Sequence, residues 1–251
     1  MAEAAPRVPE LRAAGVALAA GRTPFTEVVR AGEIVGLSGL DGHGQERFLE
    51  TLAGLQPPRS GEVAVSGGGA DARIEGFRQA VRHGIAYLPR DRRATGIFPT
   101  LSILDNFAIA TIARDVRGGL ISRTARQARY AKFHERLGIV APNGNAPITS
   151  LSGGNQQKVL LARWLAHDPR FLLLNDPTRG VDIATRQTLY GVFRELAGDG
   201  VALVVLSSEI EEIVTLCHRV LVFRENELFA TLSGDDLVSD RVIAAMFGRR
   251  A

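Results

Sequence analysis

Short apolar runs alternate with helical patterns along most of the chain, and this alternation constrains the fold more than any other feature. Strands are predicted at Ala13–Ala20, Phe25–Arg30, Glu33–Ser38, Glu62–Ser66, Gly84–Leu88, Phe171–Asn175, Val201–Ser207 and Val220–Phe223. Helices are predicted after the turn that follows Ser38 and at Ile121–Leu137, Thr185–Ala197 and Glu209–Cys217. Such alternation implies an α/β fold, a mainly parallel sheet covered by helices.

The composition predicts a folded, soluble chain in the cytoplasm. Apolar residues make up 45% of 251 residues, enough for a hydrophobic core. No apolar run approaches the roughly 18 to 20 residues that a membrane-spanning helix needs. The single cysteine, Cys217, excludes an internal disulfide, and no Cys/His zinc site is expected. Arginines alternate with acids and the net charge is only +3, so nucleic acid is not an expected partner.

The composition also suggests how the chain is divided. Residues 1–10 contain two prolines and show no periodicity, which predicts a tail or linker. Residues 91–150 form a helical insertion with a basic amphipathic helix, a second subdomain. Residues 11–90 and 151–251 are then left for the core.

A glycine-rich turn, Gly39–Glu46, lies between an apolar strand and a helix, where a phosphate-binding loop belongs. Gly39, Gly42 and Gly44 fit that pattern, but Gln45 and Glu46 stand where it needs a lysine for phosphate and a hydroxyl for magnesium.

These two replacements weaken anion binding more than the rest of the loop can offset. Each lost charge-assisted contact removes about 1.5 to 3 kcal/mol. A carboxylate about 4 Å from a phosphate charge opposes binding by roughly 4 kcal/mol, whereas the helix N-terminus returns only about 0.3 to 1 kcal/mol. Two alternatives stay open: Glu46 holds magnesium itself and binding is weak, or the segment is a plain glycine turn.

The segment Leu151–Gln157, LSGGNQQ, is the most specific motif in the chain. Ser152 is expected to cap a helix over residues 155–167, and Gly153 and Gly154 let the turn approach another chain, with free N–H groups aimed at a phosphate. The motif resembles the signature of ATP-binding cassette (ABC) ATPases, in the form found in bacterial sugar importers. The alternative is a helix cap with a flexible turn.

Further motifs follow in the order of that family. The strand Phe171–Asn175 resembles its magnesium-binding strand, with Asn175 in place of a carboxylate and Asp176 in place of the longer catalytic base. Residues 178–182 resemble the D-loop, which includes Asp182, and Ser208 occupies the position of the switch histidine. Residues 89–96 resemble the PEDRKxxG stretch of the second sugar-importer cassette, although Arg90 departs from it. An ordinary buried strand and a surface turn are the alternatives for 171–177 and 89–96.

The resemblance implies a P-loop NTPase (RecA-like) fold with an antiparallel β subdomain and the helical insertion. It also implies ATP and Mg²⁺ as cofactors, although binding to this chain's own loop is doubtful. Glu46 and Asn175 are the weak candidates for a metal site. Because ABC cassettes pair head to tail, Ser152, Gly153, Gly154, Asn155 and Gln156 are expected to complete an ATP site on a partner cassette.

The implied partners are a second cassette, transmembrane permease subunits contacted through residues 91–150 near Arg90, and indirectly a periplasmic sugar-binding protein. The implied location is the inner face of the bacterial cell membrane, as a peripheral protein. Alternatives are an importer for nucleosides or autoinducer-like cargo, a nonmembrane ABC protein of repair or translation, and a noncatalytic regulatory or dimerisation module.

Overall fold

The computed structural model describes residues 8–67 and 71–249. The strands are β1 Glu10–Ala17, β2 Phe25–Arg30, β3 Ile34–Gly39, β4 Ser60–Ser66, β5 Ala72–Arg73, β6 Ile85–Leu88, β7 Val116–Arg117, β8 Leu120–Ile121, β9 Phe171–Asn175, β10 Ala202–Leu206, β11 Arg219–Arg224 and β12 Glu227–Ser233. The α-helices are α1 Gln45–Leu52, α2 Phe77–Arg82, α3 Ile103–Ala108, α4 Arg123–Arg136, α5 Gly153–Leu165, α6 Ile183–Gly198, α7 Ile210–Leu216 and α8 Ser239–Met246.

A six-stranded sheet in the order β12-β11-β3-β10-β9-β6 carries the candidate site. Strands β11, β3, β10 and β9 pair in parallel, and β12 adds an antiparallel edge. Every residue of β9 and β10 is buried, as expected for strands covered on both faces. The predicted mainly parallel α/β fold is confirmed.

The register of this sheet brings three strand ends together. Leu206 lies opposite both Leu37 and Asn175, so β3, β10 and β9 end at the same edge. In open parallel sheets, ligands bind outside the carboxyl ends of the strands. The segments that follow these three strands are therefore placed where a binding site is expected.

An antiparallel sheet in the order β2-β1-β4-β5 shares its hydrophobic core with the parallel sheet. Leu11 and Val63 of the first sheet and Leu37 of the second belong to one buried cluster. Phe48 lies 5.3 Å from both Phe25 and Phe223, measured between ring centroids. The burial of these large side chains holds α1, and with it the loop before α1, on the sheet.

The chain divides into two compact units. The first contains the described residues up to Tyr87, together with 170–176 and the residues from 194 onward, and so includes both sheets. The second contains 88–169 and 177–193. It includes the predicted insertion 91–150, and also 151–169 and 177–193, which the sequence assigned to the core. The predicted domain boundaries stay a prediction.

Several predicted boundaries differ from the structure. Strand β1 begins at Glu10, which was expected in the tail, and residues 1–7 lie outside the described residues. Helix α5 spans Gly153–Leu165, two residues earlier than expected. Strands β5 and β12 and helix α8 were not predicted. Within 8–67 and 71–249, no helix has the length and apolar character needed to cross a membrane.

Candidate functional site

The turn after β3 contains two glycines in the left-handed region of backbone conformation. Gly42 and Gly44 adopt φ angles of 75° and 108°, which side chains other than glycine rarely tolerate. Gly44 also lies against the β11–β12 turn, since a Cβ on Gly44 would be 2.9 Å from Asn226 Cα. The Asn226 N–H donates to the His43 carbonyl at 2.8 Å. The loop is therefore held in shape by the protein itself.

Gln45, at the lysine position, turns its side chain back onto this loop. Its Nε2 donates to the Gly39 carbonyl at 3.2 Å and to the Leu40 carbonyl at 2.9 Å. These bonds direct its Oε1 toward Gly39, and this buried oxygen has no hydrogen-bond partner among the described residues. An acceptor oxygen without a hydrogen-bond partner among the described residues thus lies beside Gly39, at the start of the loop.

Glu46, at the hydroxyl position, contacts the end of β9. Its Oε1 accepts a hydrogen bond from Asn175 Nδ2 at 2.9 Å, and the same nitrogen lies 3.4 Å from the Tyr87 hydroxyl. Burial, and then the negative charge of Glu46, raise the pKa of Glu50 one turn along α1. Glu46 and Asn175, the predicted metal candidates, are therefore neighbours, in acidic surroundings.

Tyr87 and Glu50 also belong to this cluster and were not among the predicted site residues. Tyr87 was only part of the predicted strand Gly84–Leu88, although burial raises its pKa and its hydroxyl contacts Asn175. The spacing of Glu50 from Glu46 was a usable signal, because residues four apart lie on one helix face.

The predicted base position and switch position are brought together. Asp176 has a positive φ of 47°, and its N–H donates to the Leu206 carbonyl at 2.7 Å. Its Oδ1 accepts from the Ser208 N–H, also at 2.7 Å. The carboxylate of Asp176 is thus engaged by the backbone of the adjacent strand end.

The signature segment belongs to the second unit. Ser152 caps α5, as predicted: its Oγ accepts from the Asn155 N–H at 3.4 Å. The side chain of Asn155 bonds within the same unit, because its Oδ1 accepts from the Val140 N–H at 2.8 Å. Gln156 is buried and donates to the Leu151 carbonyl at 3.1 Å. Ser152 itself is exposed.

The two signature glycines lie close to residues of this unit, and the short Thr185 side chain leaves little room for a Cβ at Gly154. A Cβ on Gly154 would lie 2.9 Å from Thr185, and a Cβ on Gly153 would lie 2.5 Å from an Arg92 terminal nitrogen. The sequence explained these glycines only by approach to another chain. In the structure, both glycines also lie against side chains of their own unit.

Arg92 links three of the motifs in the second unit. Besides contacting Gly153, its guanidinium donates to the Arg179 carbonyl at 2.8 Å and to the Gly180 carbonyl at 3.5 Å. Asp182 caps the start of α6 by accepting from the N–H and hydroxyl of Thr185, and these bonds lower the pKa of Asp182. Arg92 was not among the predicted site residues, and its contacts join segments 87 residues apart in sequence.

The chain is similar in sequence to known proteins. The ABC transporter family model matches residues 24–179. The ribose import ATP-binding protein of Rhizobium etli is 38% identical over 219 residues, which is 86% of this chain and 42% of that protein. The ribose import ATP-binding protein of Halalkalibacterium halodurans is 38% identical over 215 residues, 86% of this chain and 43% of that protein. The chain thus spans about two fifths of these relatives.

Solved structures show the same fold. A nucleotide-free ATP-binding cassette from an ABC transporter superposes with a TM-score of 0.79 at 15% identity, covering 96% of this chain and 100% of the other. A dimeric bacterial ABC transporter cassette superposes with a TM-score of 0.74 at 21% identity, covering 89% and 98%. The predicted P-loop NTPase type of fold is confirmed by these likenesses.

Proposed function

The chain belongs to the ABC transporter ATP-binding family, and from this premise we propose that it is the catalytically degenerate cassette of a bacterial carbohydrate importer. In this role its signature segment completes an ATP site on a partner cassette, while its own phosphate loop is weak or structural. One observation carries the proposal: the signature helix is capped and its first turn is intact, whereas Gln45 folds back into the phosphate loop.

The relatives support the cargo class. Both are named as ribose import proteins, and the chain aligns with about two fifths of each. If this chain corresponds to one of two cassettes in a longer importer ATPase, an alignment over about two fifths of each relative is expected. Cargo other than sugar is the alternative, because the residues described here contact no cargo in the proposed assembly.

Head-to-tail pairing gives the signature its role. A cassette of this fold has been solved as a dimer. The first N–H groups of α5 have no partner within the helix, and exposed Ser152 lies at its tip. Preorganised N–H donors at a helix N-terminus stabilise the charge that develops on a transferring phosphoryl group. In the proposed pair, the partner cassette holds the ATP and Mg²⁺.

The remaining partners follow from the importer assignment. We propose that residues 91–150 contact the permease, and that a periplasmic sugar-binding protein acts with it. The chain would then work at the inner face of the membrane, bound through protein partners.

The test is a Ser152→Arg substitution in the assembly of this chain with its partner cassette. A large side chain at the tip of α5 should block the approach of the partner's triphosphate and lower steady-state ATP turnover at least about tenfold, since losing one such donor costs 10²- to 10³-fold elsewhere. The measurement is phosphate release at saturating ATP.

Ser122→Arg is the matched control, because Ser122 caps α4 in the same way by accepting from the Ala125 N–H. Each variant loses a helix cap worth about 1 kcal/mol, but only the α5 variant should lose turnover. Unchanged turnover in Ser152→Arg would refute the proposed complementation.

A further inference from the structure

We infer that the amide of Asn175 fills the place of a divalent cation beside the phosphate loop, so that this chain's own site is held closed in a metal-free form. The inference rests on the proposed assignment of Gly39–Glu46 as a degenerate phosphate loop. It adds that the replacements at Gln45, Glu46 and Asn175 act together as one closed arrangement.

The residues present do not fit Mg²⁺. This ion requires oxygen ligands in octahedral geometry at about 2.0 to 2.1 Å. The group that faces Glu46 Oε1 is instead a nitrogen donor at 2.9 Å, which also reaches toward the Tyr87 hydroxyl at 3.4 Å. With the amide nitrogen turned toward Glu46, the amide oxygen of Asn175 is turned away from it and has no hydrogen-bond partner among the described residues.

Charge and burial explain why an amide belongs at this position. Asn175 is only 1% exposed and Gln45 8% exposed, so water has little access to either side chain. Glu46 and Glu50 already supply negative charge to this end of α1, and burial, followed by the charge of Glu46, raises the pKa of Glu50. An Asp at position 175 would place another carboxylate against Glu46, and without a cation the two would repel. The neutral amide removes that repulsion and donates a hydrogen bond.

Gln45 completes the closure on the phosphate side. Its amide donates to two carbonyls of the loop, at Gly39 and Leu40, and so ties the loop to the start of α1. These bonds satisfy groups of the loop without any ligand. A nucleotide would have to displace Gln45 and would meet the carboxylate of Glu46.

The test is thermal unfolding of the purified chain in EDTA and in millimolar MgCl₂. The unchanged chain should have the same Tm in both. Asn175→Asp should lower the Tm in EDTA on the order of 5 °C, and MgCl₂ should restore most of that loss, because the cation then bridges two carboxylates.

Two further variants separate this effect from general damage. Combining Glu46→Gln with Asn175→Asp exchanges the amide and the acid, so its Tm should return close to that of the unchanged chain in EDTA and should not respond to MgCl₂. Asn106→Asp alters another fully buried amide, whose nitrogen donates to carbonyls of Phe98 and Ser102. Its oxygen accepts from a terminal nitrogen of Arg163 at 3.1 Å, so the new carboxylate already has a cation beside it and the Tm of this variant should be the same in both buffers.

Two results would overturn the inference. One is a rise in the Tm of the unchanged chain with MgCl₂ alone. The other is a folded Asn175→Asp variant that does not respond to MgCl₂. If that variant does not fold, Mn²⁺ titration of the unchanged chain followed by electron paramagnetic resonance decides, and bound Mn²⁺ at micromolar concentration would contradict metal exclusion. The Ser152 test is performed in the paired assembly, so it can fail or succeed independently.

Discussion

Asp115 shows what a single buried charge requires in this protein. Its side chain is fully buried, and its oxygens accept from Arg126 Nε at 3.2 Å and from Arg129 Nε and a terminal nitrogen at 3.0 and 2.9 Å. Arg129 also stacks over the Phe107 ring, 4.8 Å from its centroid. The two guanidinium groups compensate the buried negative charge of Asp115, and removing either side of this arrangement leaves buried charge without a partner.

We expect Asp115→Asn to lower the free energy of unfolding by about 3 kcal/mol or more, since it leaves two partly buried guanidinium groups without their shared anion. Urea unfolding followed by circular dichroism measures the change. Asp168→Asn is the control, because Asp168 pairs with Arg114 but its side chain is 77% exposed. It should cost less than about 1 kcal/mol. Equal losses in the two variants would contradict a special role for the buried site.

At the scale of the elements, strand β3, which leads into the candidate site, packs closely against α7. A Cβ on Gly36 of β3 would lie 2.8 Å from Ile213 and 3.0 Å from Cys217 Sγ. It would also lie 2.9 Å from Val220 of the neighbouring strand. The absence of a side chain at this position therefore sets how closely the helix packs on the sheet.

Gly36→Ala should destabilise the chain by about 1 to 3 kcal/mol through overpacking. Gly191→Ala makes the same change in α6, where a Cβ would have no heavy atom within 4 Å. There the substitution should stabilise by about 0.5 to 1 kcal/mol, because alanine favours the helix. The denaturant midpoint should fall for Gly36→Ala and rise for Gly191→Ala. A raised midpoint for Gly36→Ala would contradict the prediction, because it would show that α7 can move away from β3 at little cost in stability.

The strands and helices also show which parts of the fold can be predicted from the sequence and which cannot. Strands β9 and β10 were predicted within two residues because every one of their residues is buried, which gives an unbroken apolar run. Strand β12 was missed because only one of its seven residues is buried, and its sequence, ELFATLS, has no clear alternation. The Ser152 cap is a local signal and was predicted correctly, whereas the phosphate-binding role of the glycine-rich turn stays a prediction. The bond between Glu46 and Asn175 joins residues 129 apart, so only the assembled sheet reveals it.

For the whole molecule, we expect the isolated chain to release phosphate from ATP barely faster than buffer alone. The Gln45 side chain folds back onto the proposed phosphate loop, and the Asp176 carboxylate accepts from the Ser208 N–H. Asp176→Asn should therefore leave this low rate unchanged. The assembly with the partner cassette, assayed in parallel, provides the active reference. Turnover by the lone protein that disappears in Asp176→Asn would show that this chain is a competent ATPase by itself.

The contact of Asn226 with the loop bears on which substitutions the loop can tolerate during evolution. Because the β11–β12 turn supports His43 and Gly44 from outside, the loop keeps its form without help from any anion. Substitutions at positions 45 and 46 leave this outer support of the loop in place. Selection for a stable fold would then retain Gly42 and Gly44, with their positive φ angles, whichever residues follow them.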